Sequence, residues 1–188
     1  MLSHSATMHK IKSARRRFIM CAAAAAIAVA AASAPVVRDA QAQTVQWQEL
    51  RRDDLGFRIE MPGNPTIEET KGLPRENLIR SIDAKAEYDQ VSLEVGYAAY
   101  KNVSIDEFIK SFRSGLSVLG SPIDENSLTI NGFPAREFTV APGIVDGAYY
   151  RFVFVGNAVF SIQAVGGSSS NPTIRRFVDS FRMLMSTK

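Results

Sequence analysis

Apolar and polar residues alternate along most of this chain, and twice the spacing switches to that of a helix. Residues 45–50 read as a short first strand or extended arm, and 51–56 as a charged turn. Phe57, Ile59 and Met61 alternate with Arg58 and Glu60, which predicts a half-buried strand ended by Pro62-Gly63-Asn64-Pro65. A further strand fits 66–70. Residues 77–88 form a longer one, with Leu78, Arg80, Ile82, Ala84 and Ala86 on one face and Ser81, Asp83, Lys85 and Glu87 on the other. Asp89-Gln90 turns the chain, and Val91, Leu93, Val95, Tyr97 and Ala99 line the next strand, which should pair antiparallel with its predecessor.

The first helical stretch opens at Ser104, an N-cap, with Glu107 three residues on as in a capping box and Val103 placed to staple Phe108. Ile105, Phe108, Phe112, Leu116 and Leu119 recur on one face, and Gly120 with Pro122 stops the helix. Phe108 and Phe112 are expected to be buried against a sheet, facing members of the set Leu93, Val95, Phe152 and Phe160. Strands at 127–130 and 135–140 flank Asn131-Gly132, a hairpin signal, and Pro142-Gly143 breaks the chain.

A second hairpin joins 149–155 to 158–165 through Gly156-Asn157. A three-residue loop including Val155 would gather Tyr150, Phe152, Phe154, Phe160 and Ile162 on one face. A strict two-residue loop would set Phe160 opposite Val153. The first is preferred because it collects the aromatics. It would leave Tyr149, Arg151 and Gln163 together on the opposite face. The last helix starts at Asn171-Pro172 and carries Ile174, Phe177, Val178, Phe181 and Leu184 as its stripe, with surface pairs Arg175–Asp179 and Asp179–Arg182. Runs of strands on short turns with two helices give an α+β fold around an antiparallel sheet.

Residues 1–42 have a different composition: a basic start, an Ala-rich apolar run from Phe18 to Val37, and Ala40-Gln41-Ala42 as a small-x-small cleavage site. They read as a helical signal peptide, leaving 43–188 as one domain beginning at Gln43. Ala32-Ser33-Ala34 is the rival site. Arg15-Arg16-Arg17-Phe18-Ile19 resembles the twin-arginine export motif, a general secretory signal being the alternative. Export implies a periplasmic or secreted protein, with the membrane involved only through an uncleaved leader. Removing the leader changes the sign of the charge. The full chain has 22 basic and 19 acidic residues. Lys10, Lys12, Arg15, Arg16, Arg17 and Arg38 lie in the leader against Asp39 alone, so 16 basic and 18 acidic remain. Nucleic acid is not an expected partner.

Gly56-Phe57-Arg58-Ile59-Glu60-Met61-Pro62, the stretch from Asn131-Gly132 through Phe133-Pro134-Ala135-Arg136-Glu137-Phe138, and Phe177-Val178-Asp179-Ser180-Phe181 are similar to segments of bacterial exported proteins of the PsbP-like and DcrB-like type. The resemblance spans roughly 45–185 and rests on strand order. It implies an α/β/α sandwich and no single activity. The histidines linked to metal in photosynthetic members have no counterpart after residue 42, since His4 and His9 both lie in the leader, as does Cys21.

Without His or Cys, residues 43–188 exclude a Cys/His zinc site, a Ser–His–Asp triad, a cysteine nucleophile and a disulfide. No cofactor motif is present. The loop 166–170 could hold a nucleophilic serine or bind an anion beside the N-terminus of the last helix, but with no base evident in the sequence a flexible polar linker is the preferred reading. Asp53-Asp54, Glu68-Glu69 and Asp124-Glu125 are carboxylate pairs of the type that ligates Ca²⁺, but adjacent residues of a strand face opposite ways. Candidate binding residues are Arg80, in phase with an apolar face, and Tyr149, Arg151 and Gln163, whose amphipathic side chains suit an interface. The reading is a non-catalytic envelope protein that binds another envelope protein or a small ligand. The alternative is a His- and Cys-independent hydrolase or a carboxylate Ca²⁺-binding protein.

Overall fold

A computed structural model describes residues 45–72, 77–117, 123–141 and 147–185. The chain divides after Gln41, and everything described lies in the second unit, Ala42–Lys188. The leader, Leu119, the expected helix stop at Gly120 and the Pro142-Gly143 break fall outside the described residues.

The elements run β1 (Trp47–Arg52), β2 (Phe57–Pro62), β3 (Thr66–Lys71), β4 (Leu78–Tyr88), β5 (Val91–Tyr100), α1 (Ile105–Leu116), β6 (Ile123–Ile130), β7 (Phe133–Val140), β8 (Ala148–Val155), β9 (Ala158–Val165), α2 (Pro172–Ser180) and β10 (Arg182–Met183). The fold is α+β and antiparallel throughout. Seven strands form one sheet in the order β3-β4-β5-β9-β8-β7-β6, and β1, β2 and β10 form a small second sheet.

Tight turns fix the register. Asp89 and Gln90 both adopt positive φ, as do Asn131 and Gly132, which is the twist that suits a two-residue hairpin. The β8–β9 turn is also a two-residue one. Val155 pairs with Ala158 and Val153 with Phe160, so the preferred three-residue loop is corrected. Gly156 supplies the positive φ at the first turn position, while Asn157 is tied down: its backbone carbonyl accepts from Tyr100 N–H and its side chain donates to Lys101 O. Phe160 and Ile162 therefore lie on the face opposite Tyr150, Phe152 and Phe154. The aromatics need not share a face because both faces of the sheet are covered.

One face is covered by α2 and the small sheet. Leu93, Val95, Phe160 and Ile162 pack there with Phe57, Ile59, Met61, Ile174, Phe177 and Phe181. The other is covered by α1, over Phe138, Tyr150, Phe152 and Phe154. Phe108 and Phe112 are only half-buried, and Ile109 and Leu116 are the buried residues of α1. Phe112 stands edge-on to Phe138, Tyr150 and Phe152, with centroids 5.0, 5.1 and 4.7 Å away. Of the residues expected to face them only Phe152 does; Leu93, Val95 and Phe160 belong to the other side of the sheet.

The cap of α1 forms as read, with Ser104 Oγ accepting from Glu107 N–H at 3.4 Å. Asn171 caps α2 by accepting from Thr173 N–H at 2.8 Å. α2 stops at Ser180, earlier than the apolar stripe suggests. Ser180 Oγ donates to Phe177 O and accepts from Glu60 N–H, which hands the chain to β10 beside β2. Leu184 is exposed, and Arg182 donates to the backbone carbonyl of Asp179 rather than to its carboxylate.

Candidate functional site

α1 lies over β7, β8 and part of β9, and beyond it the same sheet face turns polar. Two cross-strand rows cross the part that none of the described elements covers. One runs Glu68, Asp83, Gly96, Ser161; the other runs Thr66, Lys85, Glu94, Gln163 and ends at Tyr150 beneath α1. Residues paired directly across antiparallel strands share a face, so each row is a line of neighbours. Lys85 Nζ sits 3.2 Å from Glu68 and 3.7 Å from Glu94, and Gln163 donates to Glu94 at 3.5 Å. Gly96 is the floor: a Cβ there would stand 2.5 Å from Ser161 Oγ and 2.6 Å from Asp83 Oδ1, so the missing side chain lets the Asp83 carboxyl lie over β5.

Three carboxylates therefore share one lysine on a half-desolvated surface. Burial raises the Asp83 carboxyl above the ordinary aspartate range, Lys85 lowers it, and Glu68 pushes it up again. Burial likewise raises Glu94, against the pull of Lys85. Tyr150 is raised by burial and then by the Glu94 charge. Desolvation disfavours the ionised form of each, which is why they cluster around the one cation.

The four candidates from the sequence fall in three places. Gln163 lies on this polar face. Tyr149 and Arg151 lie on the opposite face, because the two-residue turn separates them from Gln163. They form a buried network with Glu137: Tyr149 is 2 % exposed and its hydroxyl donates to Glu137. Arg151 donates to Glu137 Oε2 at 2.8 and 3.1 Å and to Val178 O at 3.2 Å, holding the C-terminal end of α2. Burial first, then the bond to Glu137, holds the Tyr149 phenol far above its usual range. Arg80 lies on that same second face near the β3 edge. Its Nε is buried without a hydrogen bond, 4.0 Å from Glu69, and its guanidinium is 5.9 Å from the centre of the Tyr97 ring.

Asp83, Lys85, Glu94 and Glu137 were not singled out from sequence. The first three were legible in principle. The Asp89-Gln90 turn pairs Tyr88 with Val91, and counting back puts Lys85 opposite Glu94 and Asp83 opposite Gly96. Glu137 faces Arg151 across a connection whose length gives no register.

Glu68-Glu69 and Asp124-Glu125 lie on strands and are split between faces, Asp53-Asp54 lies in the turn after β1, and most members of these pairs are answered by cations of the chain. Asp53 pairs with Arg51, Asp54 with Arg52, Glu68 with Lys85, and Glu125 with Arg113 in two bonds of 2.6 Å. Among the described residues no group of three His, Cys, Asp or Glu is placed to hold a metal. In the loop before α2, the Ser168 and Ser170 hydroxyls bond each other at 2.8 Å. A surface hollow of about 380 Å³ is lined by Val45, Gly63, Thr66, Lys85 and Glu87 among others, and one of about 160 Å³ by Glu49, Arg58, Glu60 and Arg182 among others. Neither of these two hollows is lined by Asp83 or Glu94.

Compared with known proteins, the chain matches no family model and no curated protein.

Proposed function

We propose that this is an exported, non-catalytic accessory protein that binds an envelope partner or ligand through the uncovered face of its large sheet. The observation that supports it is the incomplete cover. Among the described elements α1 covers only the aromatic half of that face, and the remainder presents the half-buried Asp83, Glu94 and Gln163 drawn together around the exposed Lys85. A face that needed only solubility would carry spaced, fully solvated charges. Among the described residues neither of the two surface hollows brings two facing carboxyls together with Asp83 or Glu94, which favours binding over acid–base catalysis. Export rests on the basic, Ala-rich leader with its twin-arginine-like pair. The resemblance to PsbP-like and DcrB-like exported proteins agrees with this role, and α1 and α2 on opposite sides of the sheet are compatible with a PsbP-like α/β/α sandwich.

A photo-crosslinking side chain at Glu87 or Gln163, in protein expressed in its own cells, tests the reading. Discrete adducts from these two positions and none from Lys110, on the solvent side of α1, are expected. Adducts of equal yield from Lys110, or none anywhere, would overturn it.

A further inference from the structure

The edge of the large sheet beside this polar face is β3, which none of the described residues covers and which only its charges, Glu68, Glu69 and Lys71, guard. All six residues of β3 are exposed, Ile67 at 51 %. Gly72 N–H donates to Ile79 O, so the antiparallel alternation places residues 70, 68 and 66 in bonded pairs with β4 and turns the backbone N–H and C=O of Ile67, Glu69 and Lys71 outward. Among the described residues none bonds to them. A strand edge of this kind templates another strand unless charge, proline or a cover prevents it. β3 contains no proline. The opposite edge, β6, is tied near its start to α1 through Arg113 and Glu125.

The charges of β3 discriminate between occupants. A second copy is disfavoured: antiparallel pairing of β3 with itself about Glu68 or Glu69 sets like charges opposite each other, and pairing about Ile67 or Thr70 overlaps only three residues of each strand. A basic segment is favoured. On the polar face Glu68 already shares Lys85 with Glu94, and Asp83 stands next to it, so a cation opposite Glu68 meets uncompensated negative charge. On the other face Glu69 has only Arg80, at 4.0 Å.

Building on the proposed role of the uncovered face, we infer that the partner is an extended basic segment of another protein that adds to β3 as an eighth strand. Running antiparallel, it reads acidic opposite Lys71, polar opposite Thr70, basic opposite Glu69 and again opposite Glu68, apolar opposite Ile67, and polar opposite Thr66. The added main-chain bonds supply affinity and the alternating side chains supply selectivity. The basic residue opposite Glu68 extends over the polar face toward Asp83. Raising those carboxyls toward neutrality by lowering the pH weakens the complex.

The probe is a fluorescent peptide, Glu-Thr-Lys-Arg-Val-Thr, titrated into the purified protein and followed by anisotropy. Two N-methylated forms separate strand addition from simple charge attraction. Methyls on the Lys and Val amides, which point at β3, should abolish binding; methyls on the Thr and Arg amides, which point away, should leave it within about two-fold. Charge reversal at Glu68→Lys with Glu69→Lys should weaken the parent peptide by about ten-fold or more. Amide chemical shifts of Ile67, Glu69 and Lys71 should move on binding. No binding, equal binding of the two methylated forms, or a β3-paired dimer of the protein itself would overturn the inference. Shifts confined to β4, β5 and β9 with β3 unmoved would overturn strand addition while leaving the binding face intact, and crosslinks from Glu87 and Gln163 report on that face independently.

Discussion

Burial without full compensation is the theme at the level of single residues. Asp83 and Glu94 have folded-state pKa values above their unfolded ones, so the native state binds protons more tightly than the unfolded chain. The sign follows: the penalty is full above the folded pKa values and disappears below the unfolded ones. The protein should therefore gain stability from these two groups as pH falls from neutral toward the ordinary carboxylate range. Thermal unfolding of the Asp83→Asn, Glu94→Gln double variant should show a flatter dependence across that interval and a higher midpoint at neutral pH. A variant that is less stable than the parent at neutral pH would mean that the Lys85 attraction outweighs desolvation. The Glu137 network makes the opposite case. Arg151→Ala leaves a carboxylate that is 20 % exposed without its cation and frees the α2 end, a loss of roughly 3 kcal/mol. Tyr149→Phe removes one donor and keeps the ion pair, for about 1 kcal/mol. Urea denaturation of the two variants checks the order.

Elements behaved as their local sequence predicts when the signal was chemical, and departed from it when the neighbour decided. Ser104 and Asn171 cap their helices; Gly or Asn supplies the positive φ or the anchor in the Asn131-Gly132 and Gly156-Asn157 turns, while Asp89-Gln90 takes positive φ without either. Ser104→Ala should cost ~1 kcal/mol, the worth of a cap. Phe112→Ala should cost roughly 2–3 kcal/mol, below the full value for a core phenylalanine because the ring is half-buried, yet above the cap because three aromatic neighbours lose it. Equal losses would mean that α1 does not hold the aromatic face. Gly156→Ala meets no atom within 4 Å, so its cost is backbone strain alone, about 1–2 kcal/mol. α2 shows the limit of periodicity: Phe181 and Leu184 continue its stripe, but Ser180 and β2 claim the chain first.

Across the whole molecule, two cores on either side of one sheet carry the fold without crosslinks. Residues 43–188 have no Cys or His, so the melting temperature of the processed protein should be unchanged by a reductant or a chelator. A chelator-induced drop would point to carboxylate ligation of Ca²⁺. Processing itself is checked by N-terminal sequencing of envelope material, where Gln43 is expected first; an intact Met1 in the cytoplasm would contradict export.

Strand positions, helix caps, hairpin turns and the α+β class follow from the chain itself, because each depends on neighbours within a few residues. The exclusion of Cys and His chemistry follows from composition. The partition of the strands did not. Nothing local separates β1 and β2 from the large sheet, or ends α2 in favour of β10, since β10 and β2 pair across more than a hundred positions. The faces of β8 and β9 turned on one residue of loop length, which inverts every side chain beyond it. Collecting the aromatics on one face was reasonable for a sheet covered once; it failed because this sheet is covered twice. The polar face is tertiary in the same way. Asp83, Lys85 and Glu94 look like solvent-facing strand residues in sequence, and only the sheet register brings the half-buried Asp83 and Glu94 together around the exposed Lys85.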